Sequence, residues 1–240
     1  MLVEVCANSL QSAINAELAG ADRIELCSEL AVGGITPSYG LLKLVREKVN
    51  IPINVLIRPR SGDFTYSDDE FQIMKSNIKL CKDLGFNGIV SGILLDDFTI
   101  DLKRTEELRI LAEGLHFTFH RAFDWLSKPE KALGELESIG VDTILTSGQA
   151  SSATEGFSLL KSLHEKTENC TIMPGGGVKP TNVTEFKTGG FKAVHLSGTQ
   201  FIQTLNASPK VSMNSPSFLK DDQLAISNVD TIQKVVKAVK

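Results

Sequence analysis

Short apolar runs and amphipathic helical patterns take turns along this chain, with glycines and polar caps between them. Val3–Ala7 reads as a strand, and Ser9–Leu18 as a helix that stops at Gly20. Arg23–Cys27 is a second strand; a Gly33-Gly34 loop follows, and Pro37 and Ser38 introduce a helix running through Val49. Ile53–Ile57 is the third strand, with Ser67 as N-cap of a helix over Asp68–Leu84. Gly88–Leu94 and Phe117–Phe119 supply strands four and five, followed by helices over Leu102–Ala112 and Pro129–Ile139. Thr143–Thr146, Thr171–Met173 and Ala193–Leu196 are strands six to eight; Ala153–Lys166 is the sixth helix, and a short one follows Pro180.

Strand-helix units recurring at roughly 20–35 residues argue for parallel strands with crossover helices. Several of the strands are apolar on both faces, as a sheet covered by helices requires. Eight such units close a single (β/α)8 TIM barrel over residues 1–240, a parallel eight-stranded barrel with outer helices. An open doubly wound sheet would favour a G-x-G-x-x-G turn after the first strand, where Ala7-Asn8-Ser9 stands instead. Residues 206–222, rich in Ser, Pro, Lys and Asn, read as an irregular loop. Beyond them Asn228 caps a final helix over Val229–Val239.

Composition narrows the function more by exclusion than by suggestion. No apolar run approaches the roughly 18–20 residues that a membrane span needs. The formal charge of -4 is spread in mixed signs, without the basic stripe of a nucleic-acid binder. Met1–Cys6 has no basic leader and carries Glu4, so no export signal is expected. The cysteines (Cys6, Cys27, Cys81, Cys170) form no C-x-x-C pair and are expected to be reduced thiols in the cytoplasm. No G-x-G-x-x-G turn calls for a nucleotide cofactor.

In a parallel barrel the functional residues sit at strand carboxyl ends, where the loops build the site. Glu4 and Cys6 on strand one are repeated as Glu25 and Cys27 on strand two. Residues two apart share a face, so two carboxylates and two thiols are expected to line adjacent staves of the lumen. Buried carboxylates need partners, and Arg58 and His120 are the expected ones. The thiols read either as small buried hydrophobes or as chemistry. Strand seven ends in Pro174-Gly175-Gly176-Gly177 and strand eight in Ser197-Gly198-Thr199, the usual barrel position of an anion site made from backbone N–H groups. Gly175, Gly176, Gly177, Ser197 and Gly198 are therefore the anion-binding candidates. No lysine falls inside a strand, which disfavours a Schiff-base aldolase, and the four histidines form no H-x-H pair.

Longer motifs then carry a family resemblance. Val3-Glu4-Val5-Cys6, Gly20-Ala21-Asp22-Arg23-Ile24-Glu25-Leu26-Cys27-Ser28 and Gly33-Gly34-x-Thr36-Pro37-Ser38 resemble the amino-terminal signature of the CutC family. So do Ile57-Arg58-Pro59-Arg60-x-Gly62-Asp63-Phe64, Thr118-Phe119-His120-Arg121-Ala122-Phe123-Asp124, Leu145-Thr146-Ser147-Gly148 and Met173-Pro174-Gly175-Gly176-Gly177. The likeness covers about four-fifths of the chain. It departs after strand eight, where the family often carries a Cys-Ser-Ala-Arg-like stretch and this chain has Leu196-Ser197-Gly198-Thr199. The resemblance implies a cytoplasmic copper homeostasis barrel, a homodimer or homotetramer, with Cys6 and Cys27 as Cu(I) ligands. Thiolates are soft donors suited to that ion.

The basic and glycine-rich rim supports a second expectation, an enzyme for a small anionic or phosphorylated molecule. Arg58 would neutralise the substrate, His120 or Glu25 would act as general acid or base, and Asp124 would partner the base.

Overall fold

The computed structural model describes residues 1–207, 209–213 and 220–240. Eight strands lie parallel: β1 (Leu2–Ala7), β2 (Arg23–Leu26), β3 (Ile53–Leu56), β4 (Gly88–Ser91), β5 (His116–Phe119), β6 (Thr143–Thr146), β7 (Thr171–Pro174) and β8 (Ala193–Leu196). Each pairs with its sequence neighbour, and β8 pairs with β1. The ring closes through a parallel bridge between Gly175 and His195, so the structure is a (β/α)8 barrel.

The helices are α1 (Leu10–Leu18), α2 (Tyr39–Lys48), α3 (Asp68–Asp83), α4 (Leu102–Leu111), α5 (Pro129–Ser138), α6 (Phe157–Lys166), α7 (Val183–Thr188) and α8 (Val229–Val239). Their starts are local chemistry. Ser9 and Asn228 accept from the N–H groups of Ser12 and Thr231, and Ser67 forms a capping box with Glu70. None of the described helices is long and apolar enough to cross a membrane.

Two expected boundaries shift. The sixth helix starts at Phe157 instead of Ala153, because the Ala153 N–H bonds the Gly176 carbonyl (2.8 Å) and the Gly156 backbone lies against Ser147 and Gly148. The fourth strand stops at Ser91, since the next residue, Gly92, packs on the His120 ring.

An antiparallel ribbon of β9 (Thr199–Gln203) and β10 (Gln223–Ser227) follows the barrel, and the sequence pattern did not suggest it. It docks on α1: Asn8 and Asn15 donate to the carbonyls of Ala225 and Ser227, and the Ser227 N–H donates to Ser12 Oγ. The loop expected over 206–222 has no helix or strand at its described positions before the single β10 turn; residues 208 and 214–219 lie outside the described residues.

Alternation along each strand divides the interior. Val3, Val5 and Ala7 pack beneath the helices in the main core, which leaves Glu4 and Cys6 on the lumen side. One apolar plug (Leu145, Met173, Ala193, with Leu2) and another (Cys6, Cys27, Leu56, Val90) lie apart from that core. Charged residues of the lumen separate the plugs and set up the site above them.

Candidate functional site

The deepest charged layer follows from strand register. Glu4 stands opposite Arg23 on β2 and opposite His195 on β8. Its carboxylate receives Arg23 Nε at 2.5 Å and His195 Nδ1 at 2.8 Å, and is fully buried. Burial alone would raise its pKa, but His195 and Arg23 outweigh burial and hold it at about 2. Arg23 also reaches His116 Nε2 and Met173 Sδ. The expected partners were different: Arg58 turns to loop carbonyls and His120 to the Ala122 N–H, and neither bonds Glu4 or Glu25.

One step toward the rim, Cys6 stands opposite Glu25. Cys6 Sγ lies 3.4 Å from Cys27 Sγ and 3.4 Å from Glu25 Oε1. Gly34 makes room for Cys27: a Cβ there would sit 3.4 Å from Cys27 Cβ and 2.7 Å from Leu56 Cδ2. The contact with Cys27 and burial push the Cys6 thiol well above its ordinary range. Burial, reinforced by Glu4, pushes Glu25 up against the pull of His195. His195 is drawn down by burial, yet Glu25 and Glu4 more than compensate and leave it raised. Cys6, Glu25 and His195 each offer a donor atom, and these lie within 4.8 Å of one another. Because His195 Nδ1 faces Glu4, its Nε2 is the nitrogen left for a ligand, the arrangement that orients metal-binding histidines.

Arg58 is buried and held by carbonyls: Nη1 donates to Val32 (2.8 Å) and Gly34 (2.9 Å), and Nη2 to Gly62 (2.7 Å). Among the described residues it has no carboxylate partner, and its Nε has no acceptor. Its guanidinium lies 4.9 Å from the centre of the Phe64 ring. His120 Nδ1 accepts from the Ala122 N–H at 3.1 Å, and burial with the nearby Arg58 charge pulls its pKa down to about 3. A neutral ring with Nδ1 accepting carries its proton on Nε2, and Nε2 has no partner among the described residues. His120 therefore presents a donor to the site and not a base.

Asp124 is not the partner of His120. It receives Arg121 Nε (2.7 Å), Thr146 Oγ1 (2.5 Å) and the Ser147 N–H (2.9 Å), which spends its carboxylate on fixing the β6 loop and Arg121. Arg121 also donates from Nη2 to Ser147 Oγ, leaving Nη1 toward Gly176.

A cavity of about 260 Å³ collects these groups: Cys6, Glu25, Arg58, His120, Arg121 and His195 line it, with Gly176, Gly177 and Ser197 on the β7–β8 side. Gly175 and Gly198 do not. The Gly175 N–H bonds Thr146 O in the β6–β7 pairing, and Gly198 sits against Ile232. Of the ionisable residues that line the cavity, Arg121 and His195 are not among the sequence's site candidates, Arg121 having entered only as part of a motif. The signal for His195 was its lumen-facing parity on strand eight.

Fold and cavity together define a (β/α)8 barrel protein whose soft donors and basic groups converge at the strand carboxyl ends. The chain belongs to the CutC family, whose model matches residues 1–200. A family protein CutC of Edwardsiella ictaluri is 44% identical over 96% of this chain and 91% of its own. One of Proteus mirabilis is 46% identical over 90% and 87%. The solved structure described as a copper homeostasis protein CutC from Streptococcus agalactiae is 35% identical, with TM-score 0.78 over 82% of this chain and 98% of that one. A thiamine phosphate pyrophosphorylase from Pyrococcus furiosus (14% identical, TM-score 0.61) shares the fold alone.

Proposed function

We propose that this chain is a copper homeostasis protein that binds Cu(I) through Cys6 and Cys27. The observation that carries the reading is the 3.4 Å separation of the two buried sulfurs, close enough to ligate one ion without backbone movement. The donor set fits: two adjacent soft sulfurs suit Cu(I), which accepts two-fold coordination. The S. agalactiae relative supports the same role, which belongs in a reducing compartment such as the cytoplasm.

Ligation must displace protons, because the Cys6 thiol is held toward its neutral form and only the thiolate is a ligand. Apparent affinity therefore rises with pH through the neutral range, by about tenfold per unit for each proton released. Anaerobic competition with a Cu(I) chelator checks both statements. It should give one ion per chain, with Cys27→Ser weakening the site about a hundredfold and Cys6→Ser/Cys27→Ser removing it. Undiminished binding in the double variant rejects the reading.

A further inference from the structure

The Cu(I) reading leaves the basic half of the cavity unused. Three buried side-chain atoms without partners among the described residues belong to residues lining it: Arg58 Nε, His120 Nε2 and Glu25 Oε2. Each parent residue is only 5% exposed. A buried polar atom that lacks a partner costs about 1–3 kcal/mol, and a buried guanidinium without a counter-ion costs more. Three such atoms around one cavity mark the outline of a missing molecule, and the uncompensated Arg58 charge makes that molecule an anion.

The β7–β8 wall says which anion. Gly176 and Gly177 adopt left-handed backbone (φ +98° and +77°); the Gly176 N–H faces His195 O in the bridge that closes the ring, and the N–H groups of Gly177 and Ser197 find no acceptor among the described residues. Arg121 Nη1 stands over the same turn, 3.4 Å from where a Gly176 Cβ would be. Two backbone donors, the Ser197 hydroxyl and a guanidinium are more than the two oxygens of a carboxylate use well, and they match the oxygens of a phosphate. With about 260 Å³, the cavity is below the usual roughly 300–1,000 Å³ of ligand pockets, so the molecule is small.

We propose that the cavity binds a small organic phosphate: its phosphate sits on the Gly177 and Ser197 N–H groups, the Ser197 hydroxyl and Arg121, and its hydroxyl or carbonyl oxygens accept from His120 and Arg58. The His120 tautomer suits this role, since Nε2–H is a donor. Asp124 is a positioning residue here, because it aims Arg121 and touches no ligand. The site needs neither thiol and does not depend on copper.

Metal-free protein, kept in a chelator, tests it by calorimetric titration with inorganic phosphate and with glycerol 3-phosphate. One site per chain is expected for both. Glycerol 3-phosphate should bind about tenfold more tightly, through the contacts of its body. Arg121→Gln should weaken both ligands about ten- to a hundredfold at unchanged thermal stability, and Arg121→Lys should recover part of the loss. His120→Gln should erase the preference for glycerol 3-phosphate and spare inorganic phosphate. Equal affinity for the two ligands points to free phosphate alone and rejects the organic body. No saturable binding, or binding indifferent to Arg121→Gln, rejects the site. Should His120→Gln fail to fold, the two Arg121 variants still decide.

Discussion

Glu4→Ala should lower the unfolding free energy by about 3–5 kcal/mol, the range found when one member of a buried ion cluster is removed and its partners are left charged. Arg23 and His195 both spend their strongest contact on this carboxylate, and no water reaches it. The pH dependence gives an independent handle. Glu4 is depressed from its ordinary 4.5 to about 2, so its contribution is fully present above about pH 4.5 and is lost as pH falls toward 2. Wild-type protein should shed on the order of 3 kcal/mol from this group across that window, and the Ala variant should lack that part of the acid limb. His195 runs the other way: its pKa is raised, so its contribution holds at lower pH and fades as pH rises through the folded value. Urea denaturation from about pH 9 down to about pH 2 measures both effects. Equal midpoints and parallel acid limbs in the two proteins would contradict the assignment of Glu4 as the hub of the lumen.

Gly156→Ala should cost about 3 kcal/mol or more, at or above the upper end of overpacking penalties. An added Cβ would lie 1.9 Å from the Ser147 carbonyl oxygen and 2.8 Å from Gly148 Cα, so it meets backbone that has no rotamer to yield. Gly148 is itself in the left-handed region (φ +71°), which leaves the loop little room to move. Since Ser147 donates to Asp124 and Asp124 holds Arg121, the same variant should weaken phosphate binding without touching a ligand contact. Gly134→Ala is the control. Gly134 lies inside α5 with no atom within 4 Å of its virtual Cβ, and the change should stabilise the protein by about 0.5–1 kcal/mol. Thermal melts of the two variants should move in opposite directions; a Gly156→Ala melt equal to wild type would show that the loop yields.

The barrel was legible because its signals are local. Strand runs such as Thr143–Thr146 and Ala193–Leu196, and caps such as Ser67 and Asn228, act within one turn or one strand, so reading them needs no knowledge of neighbours. The β9–β10 ribbon escaped because its strands are only half apolar and pair across some twenty residues of intervening chain. The late start of α6 escaped because it depends on the turn after β7 accepting from Ala153 and on the β6–α6 loop folding back so that Gly156 meets Ser147 and Gly148.

The site divides along the same line. Period-two alternation was enough to set Glu4, Cys6, Glu25 and Cys27 on one face and to bring the glycine turn and Ser197 to the rim. Which of these groups meet was decided by ring closure and register. Glu4 meets His195 across 191 positions because β8 returns beside β1. Arg58 turns to carbonyls and Asp124 to Arg121 because those partners come from the adjoining loops. The cysteines pointed to copper from the start. It took the closed barrel to gather the orphaned arginine, histidine and glutamate around one cavity, because pairing inside a lumen is fixed by the neighbouring staves and not by spacing along the chain.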